Sequence, residues 1–302
     1  MSMLLKPIAF CLIMATGYIL KKKQFFKVED TAFLSKVVLN ITLPMSVLHA
    51  SASLPHETSY LGIVLLGFVC SSIPFLIFFT LSKSKDKQTR VFYMINSAGY
   101  NIGCFTLPLI QSFFGNFAMA ITCLFDTGNA IMATGGSYAL TSIMLKTNGE
   151  KMTFKDILLK FVRSVPFAAY IILLLLTIFK IRLPESLIVL SEPFANANAF
   201  LAMLMLGTMF QVDKKISFMI KTMALIIGRF ILAIISSWLI YSYLPFPYEV
   251  RVVLAIVVFA PISTIAPIYT EKCGGSAALA SFANFISIIL GIIIMCILSI
   301  LL

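Results

Sequence analysis

Asp126 is the one acidic residue deep inside an apolar stretch, and Asn129 follows it by one helical turn. At that spacing the two side chains share nearly one face of a helix. A carboxyl group far from water is expensive and is kept for a purpose. It takes up and releases a proton, or it is paired with a cation. Both roles are open from the residues alone. Arg229, eight residues past Lys221, lies at a similar depth in another apolar stretch and is a candidate partner. Ser281 and Asn284 repeat the polar-x-x-Asn spacing later in the chain. Asn40 and Thr42 precede Pro44, and Asn101, Asn196, Asn198, Ser263 and Thr264 also lie in apolar surroundings. Hydrogen bonding between helices is the plain role for each.

Two apolar stretches carry breaks. Asn101, Gly103 and Pro108 interrupt Tyr93–Phe114, and Pro261 and Pro267 interrupt Val250–Thr270. Unwound backbone inside a bilayer is costly unless it is buried in protein or lines a wet cavity. Each break leaves a second half-helix whose first N–H groups are free, carrying roughly half a positive charge. Two such ends converging from opposite sides suit a carboxylate or another anion. The expected substrate-binding set is therefore Asn40, Asn101, Gly103, Pro108, Asn129, Pro261, Ser263, Thr264, Pro267 and Asn284. Asp126 is the expected proton-coupling residue.

Other chemistries lack their residues. No H-E-x-x-H or G-x-S-x-G occurs, and no second intramembrane Asp accompanies Asp126, so a membrane hydrolase is a poor reading. No Walker A motif supports ATP hydrolysis. His49 and His56 fall at the outer end of an apolar stretch and read as interfacial. Cys11, Cys70, Cys104, Cys123, Cys273 and Cys296 form no C-x-x-C and read as small packing residues. No metal site, no cofactor and no catalytic residue is expected.

The elements that must position these residues follow from composition. Of 302 residues 60% are hydrophobic and 12% charged, with a mean hydropathy of +1.01. That is a polytopic membrane protein whose main partner is the lipid bilayer. Ten apolar segments are expected as spans: Met3–Leu20, Thr31–Ala50, Ser59–Leu81, Val91–Phe114, Asn116–Leu145, Ser164–Phe179, Leu187–Phe210, Phe218–Tyr243, Val250–Thr270 and Ser276–Leu302. The first reads as a retained span, because its positive cluster follows the apolar stretch. The net charge of +11 suggests nucleic acid, but its distribution does not. The odd-numbered joints hold 17 basic residues and the even-numbered ones only Lys180, Arg182 and Arg251. That alternation places the odd joints in the cytoplasm and both termini outside.

The basic joint at 146–163 leaves five segments on each side, 1–145 and 164–302. Part of it, Thr153–Phe161, is a candidate interfacial helix. Five is odd, so the second half enters the membrane inverted. The broken segment is the fourth in each half. Pro108 precedes Asn129 by 21 residues and Pro261 precedes Asn284 by 23. The expected architecture is all-α: ten transmembrane helices in two inverted five-helix repeats, with the fourth and ninth broken.

Three stretches resemble the auxin efflux carrier family, including its bacterial organic-acid members. They are LNITLPMSVL at Leu39–Leu48, NSAGYNIGCFTLPLIQSFFG at Asn96–Gly115 and APISTIAPIYTEKCGG at Ala260–Gly275. The resemblance implies segments four and nine crossing at their breaks, with Pro108 and Pro261 at the crossover and Asn129 facing a bound carboxylate. It implies a scaffold of segments one, two, six and seven that also supports a homodimer, and a moving domain of the other six. It implies elevator-type transport of a small organic anion. The long cytoplasmic loop of many plant members has no counterpart here.

Overall fold

The computed structural model describes residues 2–53, 58–147, 164–210 and 216–302. The candidate interfacial helix at Thr153–Phe161, most of the basic joint, His56, Lys214 and Lys215 lie outside the described residues. Among the described residues every regular element is helical. They are α1 (Ser2–Lys22), α2 (Val28–Val37), α3 (Leu43–Ser51), α4 (Gly62–Leu81), α5 (Lys87–Ser97), α6 (Leu107–Ile131), α7 (Ser137–Leu145), α8 (Val165–Ile178), α9 (Glu185–Met209), α10 (Ile216–Tyr243), α11 (Tyr248–Val257), α12 (Ala266–Lys272) and α13 (Ala277–Leu301). Among the described residues six helical stretches are long and apolar enough to cross a membrane, including Ser59–Leu81, Phe218–Tyr243 and Ala277–Leu301, and α8 is a shorter apolar helix. Large apolar side chains such as Leu65, Ile143, Leu190 and Ile220 face outward. In a membrane protein that outward face is the lipid face.

Two prolines shape the helices without ending them. A proline ring clashes with the carbonyl four residues back and offers no N–H. Ahead of Pro44 and of Pro108 the chain widens into a π turn, Val38–Thr42 and Ile102–Thr106. There Leu43 N–H reaches back to Val38 O, and Leu107 N–H to Ile102 O. The wider turn moves the clashing carbonyl aside. Pro108 is therefore a second-position helix residue, not the interruption that the sequence suggested. The first break lies earlier. Ala98 is extended, Gly99 has φ +70, and Asn101 is non-helical before the chain re-enters a helix. A Cβ at Gly99 would come 2.9 Å from the Ala133 backbone, so glycine is required there by space as well as by φ. The second break runs from Val258 to Ile265, with Pro267 at the start of α12. Gly115, at φ +79 and ψ −168, is non-helical and divides α6 at a kink.

Two helix pairs approach through glycine. A Cβ on Gly67 of α4 would lie 2.0 Å from Phe125 O of α6, and one on Gly128 of α6 would lie 1.8 Å from Val64 O of α4. The same reciprocal contact joins α1 and α9: a Cβ on Gly17 would lie 2.4 Å from Leu204 O, and one on Gly207 2.1 Å from Met14 O. Bilayer lipid gives no hydrophobic drive to helix association, so close backbone packing is what holds such pairs. The glycines thus make α4–α6 one block and α1–α9 another. The larger buried core runs through α6 and α11, and a second gathers α5, α12 and the start of α13.

Candidate functional site

The two breaks cross. Tyr100 and Ile262 form an antiparallel bridge, and Asn101 N–H donates to Pro261 O at 2.9 Å. Each unwound strand is held by an asparagine from the helix that follows it. Asn129 accepts from Tyr100 N–H at 2.9 Å and donates to Tyr100 O at 3.0 Å. Asn284 donates to Ile262 O at 2.9 Å and to Ser263 O at 3.0 Å, while Ile262 N–H donates to Ser287 Oγ at 3.1 Å. Buried backbone polar groups must find partners, and these side chains replace the ladder the breaks destroyed.

Arg229 serves the other ends. The C-termini of α5 and α11 leave carbonyls unpaired and carry the negative pole of each helix. The buried Arg229 guanidinium donates to the carbonyls of Asn96, Ser97 and Gly99 on one side and to Ala260 O on the other. It also sits 5.1 Å over the Tyr100 ring. Arg229 is therefore not the partner of Asp126, which was one of the two roles open from sequence. A guanidinium with five donors is matched to converging carbonyls, and a lone carboxylate would have left most of them idle.

Asp126 has two partners. Tyr170 O–H of α8 donates to Oδ2 at 2.6 Å, and Asn129 Nδ2 donates to Oδ1 at 2.7 Å. The Asn129 amide cannot turn round, because its bonds to Tyr100 fix which end donates.

Beside the crossing lies a cavity of about 340 Å³, within the usual size of a small-ligand pocket. Its wall brings together Asn40, Asn101, Gly103, Asp126, Asn129, Ser263 and Thr264 of the expected set. The first turn after the first break, from Ile102 to Cys104, faces it, and the second break contributes Ser263, Thr264 and Ile265, the residues just before α12. Asn101 is 4% exposed, and its Nδ2 has no hydrogen-bond partner within the described protein. Gly103 packs under Leu43 and Tyr170, where a Cβ would come within 3.1 Å and 3.2 Å of them. Asn40 is exposed at the mouth and donates to Lys36 O at 2.9 Å.

The family comparison fits this arrangement. A family model described as membrane transport protein matches residues 3–299. The chain belongs to that family, the auxin efflux carriers and their relatives. No curated protein matches this transport protein.

The rest of the expected site falls into place less evenly. Asn284 and Pro267 line a second, smaller cavity of about 200 Å³, which shares Thr264 with the first. Pro261 sits at the crossing opposite Asn101. Pro108 is buried in α6 and lines neither cavity. The transport protein uses three residues that sequence reading passed over: Tyr170, Tyr100 and Ser287. Tyr170 had a signal, since a phenol midway along the shortest apolar segment must find a hydrogen-bond partner. Tyr100 acts through its backbone, and Ser287 is one serine among many, so neither carried one.

Proposed function

We propose that this transport protein is a secondary active carrier for a small organic anion, such as a carboxylate, across the cell membrane. The observation that carries the reading is one cavity that brings together the first turn after the first break, the hydroxyls of Ser263 and Thr264, and Asn101, whose buried amide donor has no partner among the described residues. Donors that are already desolvated lose nothing further when a carboxylate arrives, and they recognise its charge. The paired roles of Asn129 and Asn284 support two inverted repeats of five spans, with ten transmembrane helices in all. The division of basic residues supports termini on the outer side.

Alternating access by an elevator movement follows from the blocks. Helices α1 to α3, α8 and α9 form the scaffold, which supports a homodimer; the remaining helices carry the crossing. Asp126 sits on the mobile side and Tyr170 on the scaffold, so their hydrogen bond breaks when the crossing moves. A bare carboxylate cannot cross the bilayer midplane cheaply. A proton on Asp126 during the empty return would neutralise it and couple transport to pH. A cation-coupled carrier of the same fold is the second reading, favoured by that same carboxylate, which has no Lys or Arg bonded to it among the described residues.

Purified protein in proteoliposomes decides this. Radiolabelled carboxylates (dicarboxylates, hydroxy acids and indole acids) should enter in a saturable way, with a rate that follows an imposed pH gradient. Uptake at the rate of protein-free vesicles for every acid would sink the carrier reading. Uptake that follows a sodium gradient and ignores pH would replace the proton with sodium.

A further inference from the structure

The same cavity holds groups of opposite demand. On one side are donors: Asn101 Nδ2, buried and without a partner among the described residues, and the opening turn of the half-helix that starts at Ile102. On the other is Asp126, the only acidic side chain among the residues lining the cavity. Both its oxygens accept hydrogen bonds, from Tyr170 O–H and Asn129 Nδ2, which is the pattern of a carboxylate. Each oxygen keeps a further acceptor site. Among the described residues that line the cavity, Lys36 is the only basic one, and it is exposed. Arg229, the buried cation nearest in the fold, spends its donors on backbone carbonyls.

The two poles are close. Gly103 belongs to the first turn after the break, and a Cβ placed on it would lie 3.8 Å from Asp126 Oδ2. The missing side chain lets Leu43 and Tyr170 pack against this turn and brings the turn close to the carboxylate. A plain carboxylate bound at Asn101 and this N-terminus would bring a second negative charge beside Asp126 in a space walled largely by apolar groups, including Leu39, Leu43, Ala133 and Val165. A substrate carrying a positive group next to its carboxylate meets both demands at once.

Resting on the carrier reading above, we infer that the substrate is an α-amino acid, bound as its zwitterion. Its carboxylate sits at Asn101 and the half-helix that opens at Ile102, and its ammonium sits at Asp126. The ammonium then neutralises Asp126 on the loaded passage, as the proton does on the empty return. The apolar wall receives an uncharged side chain.

The test uses wild-type protein in nanodiscs and matched ligand triplets. Alanine, leucine and phenylalanine are each compared with the carboxylic acid lacking the amino group and with the amine lacking the carboxylate, with and without sodium chloride. Binding is read by calorimetry. At least one amino acid should bind about 10- to 100-fold tighter than both of its truncated analogues, the usual worth of one charged hydrogen bond. Asp126→Asn should weaken that amino acid by a similar factor and leave its des-amino acid unchanged or tighter. Asn101→Leu should weaken both. Equal binding of an amino acid and its des-amino acid to wild-type protein would overturn the inference while leaving the anion carrier standing. So would des-amino acid binding that appears only with sodium, since Asp126 would then hold a metal cation. If no carboxylate of either kind binds, the carrier reading falls and this inference falls with it.

Discussion

At the scale of single residues, the two asparagines of the first repeat have different jobs, and their variants should separate. Asn101 lines the cavity and its buried amide donor has no partner among the described residues, so Asn101→Leu should weaken substrate binding by about 1.5–3 kcal/mol while the protein stays folded. Asn129 holds both polar groups of the Tyr100 backbone and one oxygen of Asp126. Asn129→Leu leaves all three buried and unpaired, so it should lose binding and about 2–4 kcal/mol of stability together. A melting temperature for Asn129→Leu equal to that of Asn101→Leu would contradict this assignment. Arg229 is a structural clamp, so Arg229→Gln should lower the melting temperature strongly. Adding Asp126→Asn should not restore it, because the two side chains do not pair. Recovery in the double variant would show a contact absent from this geometry.

At the scale of elements, glycine decides which helices can touch. Gly128→Ala puts a methyl group where only 1.8 Å separates it from the Val64 carbonyl, and the α4–α6 pair must move apart to admit it. We expect loss of monodisperse protein by fluorescence-detected size exclusion. Gly115→Ala is a contrast. Its Cβ would meet nothing within 4 Å, so the cost is that of its glycine-only backbone conformation alone, on the order of 1–3 kcal/mol. If both variants behave alike, helix contact is not what makes Gly128 necessary. The start of α5 offers a pH test outside the membrane. Asp86 accepts from Thr89 N–H at 2.9 Å and Thr89 Oγ1 at 2.6 Å, and these bonds hold its carboxyl below the usual range. A lowered carboxyl value stabilises the folded state above the ordinary carboxylate range and stops doing so as pH falls through the lowered value. The melting temperatures of wild type and Asp86→Ala should therefore differ at neutral pH and converge in strong acid. A constant gap would remove the cap's ionisation from the account.

At the scale of the whole molecule, the orientation rests on where the basic joints lie. Ser53 and Ser84 are both exposed and fall in joints of opposite charge character. In a cysteine-free background with intact cells, a membrane-impermeant maleimide should label Ser53→Cys and miss Ser84→Cys until the cells are opened. The reverse pattern would invert the topology. The two reciprocal glycine contacts matter at this scale as well. Each holds a helix pair rigid, and the Tyr170–Asp126 bond is one of the few polar links across the line between scaffold and crossing. A carrier built that way moves one block past another and need not unfold either.

Composition and periodic charge were enough to make this a helical membrane protein, and motif order was enough to place it among membrane transport proteins. Both are properties of long runs: a 20-residue apolar helix is dictated locally, because the bilayer leaves the backbone no other way to satisfy its hydrogen bonds. The residues around the breaks were legible too, since Asn101, Asp126, Asn129 and Asn284 are expensive in lipid and stand out against it. Their pairing was not. The family resemblance put Pro108 and Pro261 at the crossover; a π turn absorbs Pro108, and Asn101 meets Pro261 instead. Sequence offered Arg229 to Asp126, because opposite charges at like depth attract; the folded chain gives the guanidinium the carbonyls of two half-helices, and gives Asp126 a phenol from another segment. Those choices depend on which helix ends meet in space, and backbone groups that carry no side-chain signal decided them.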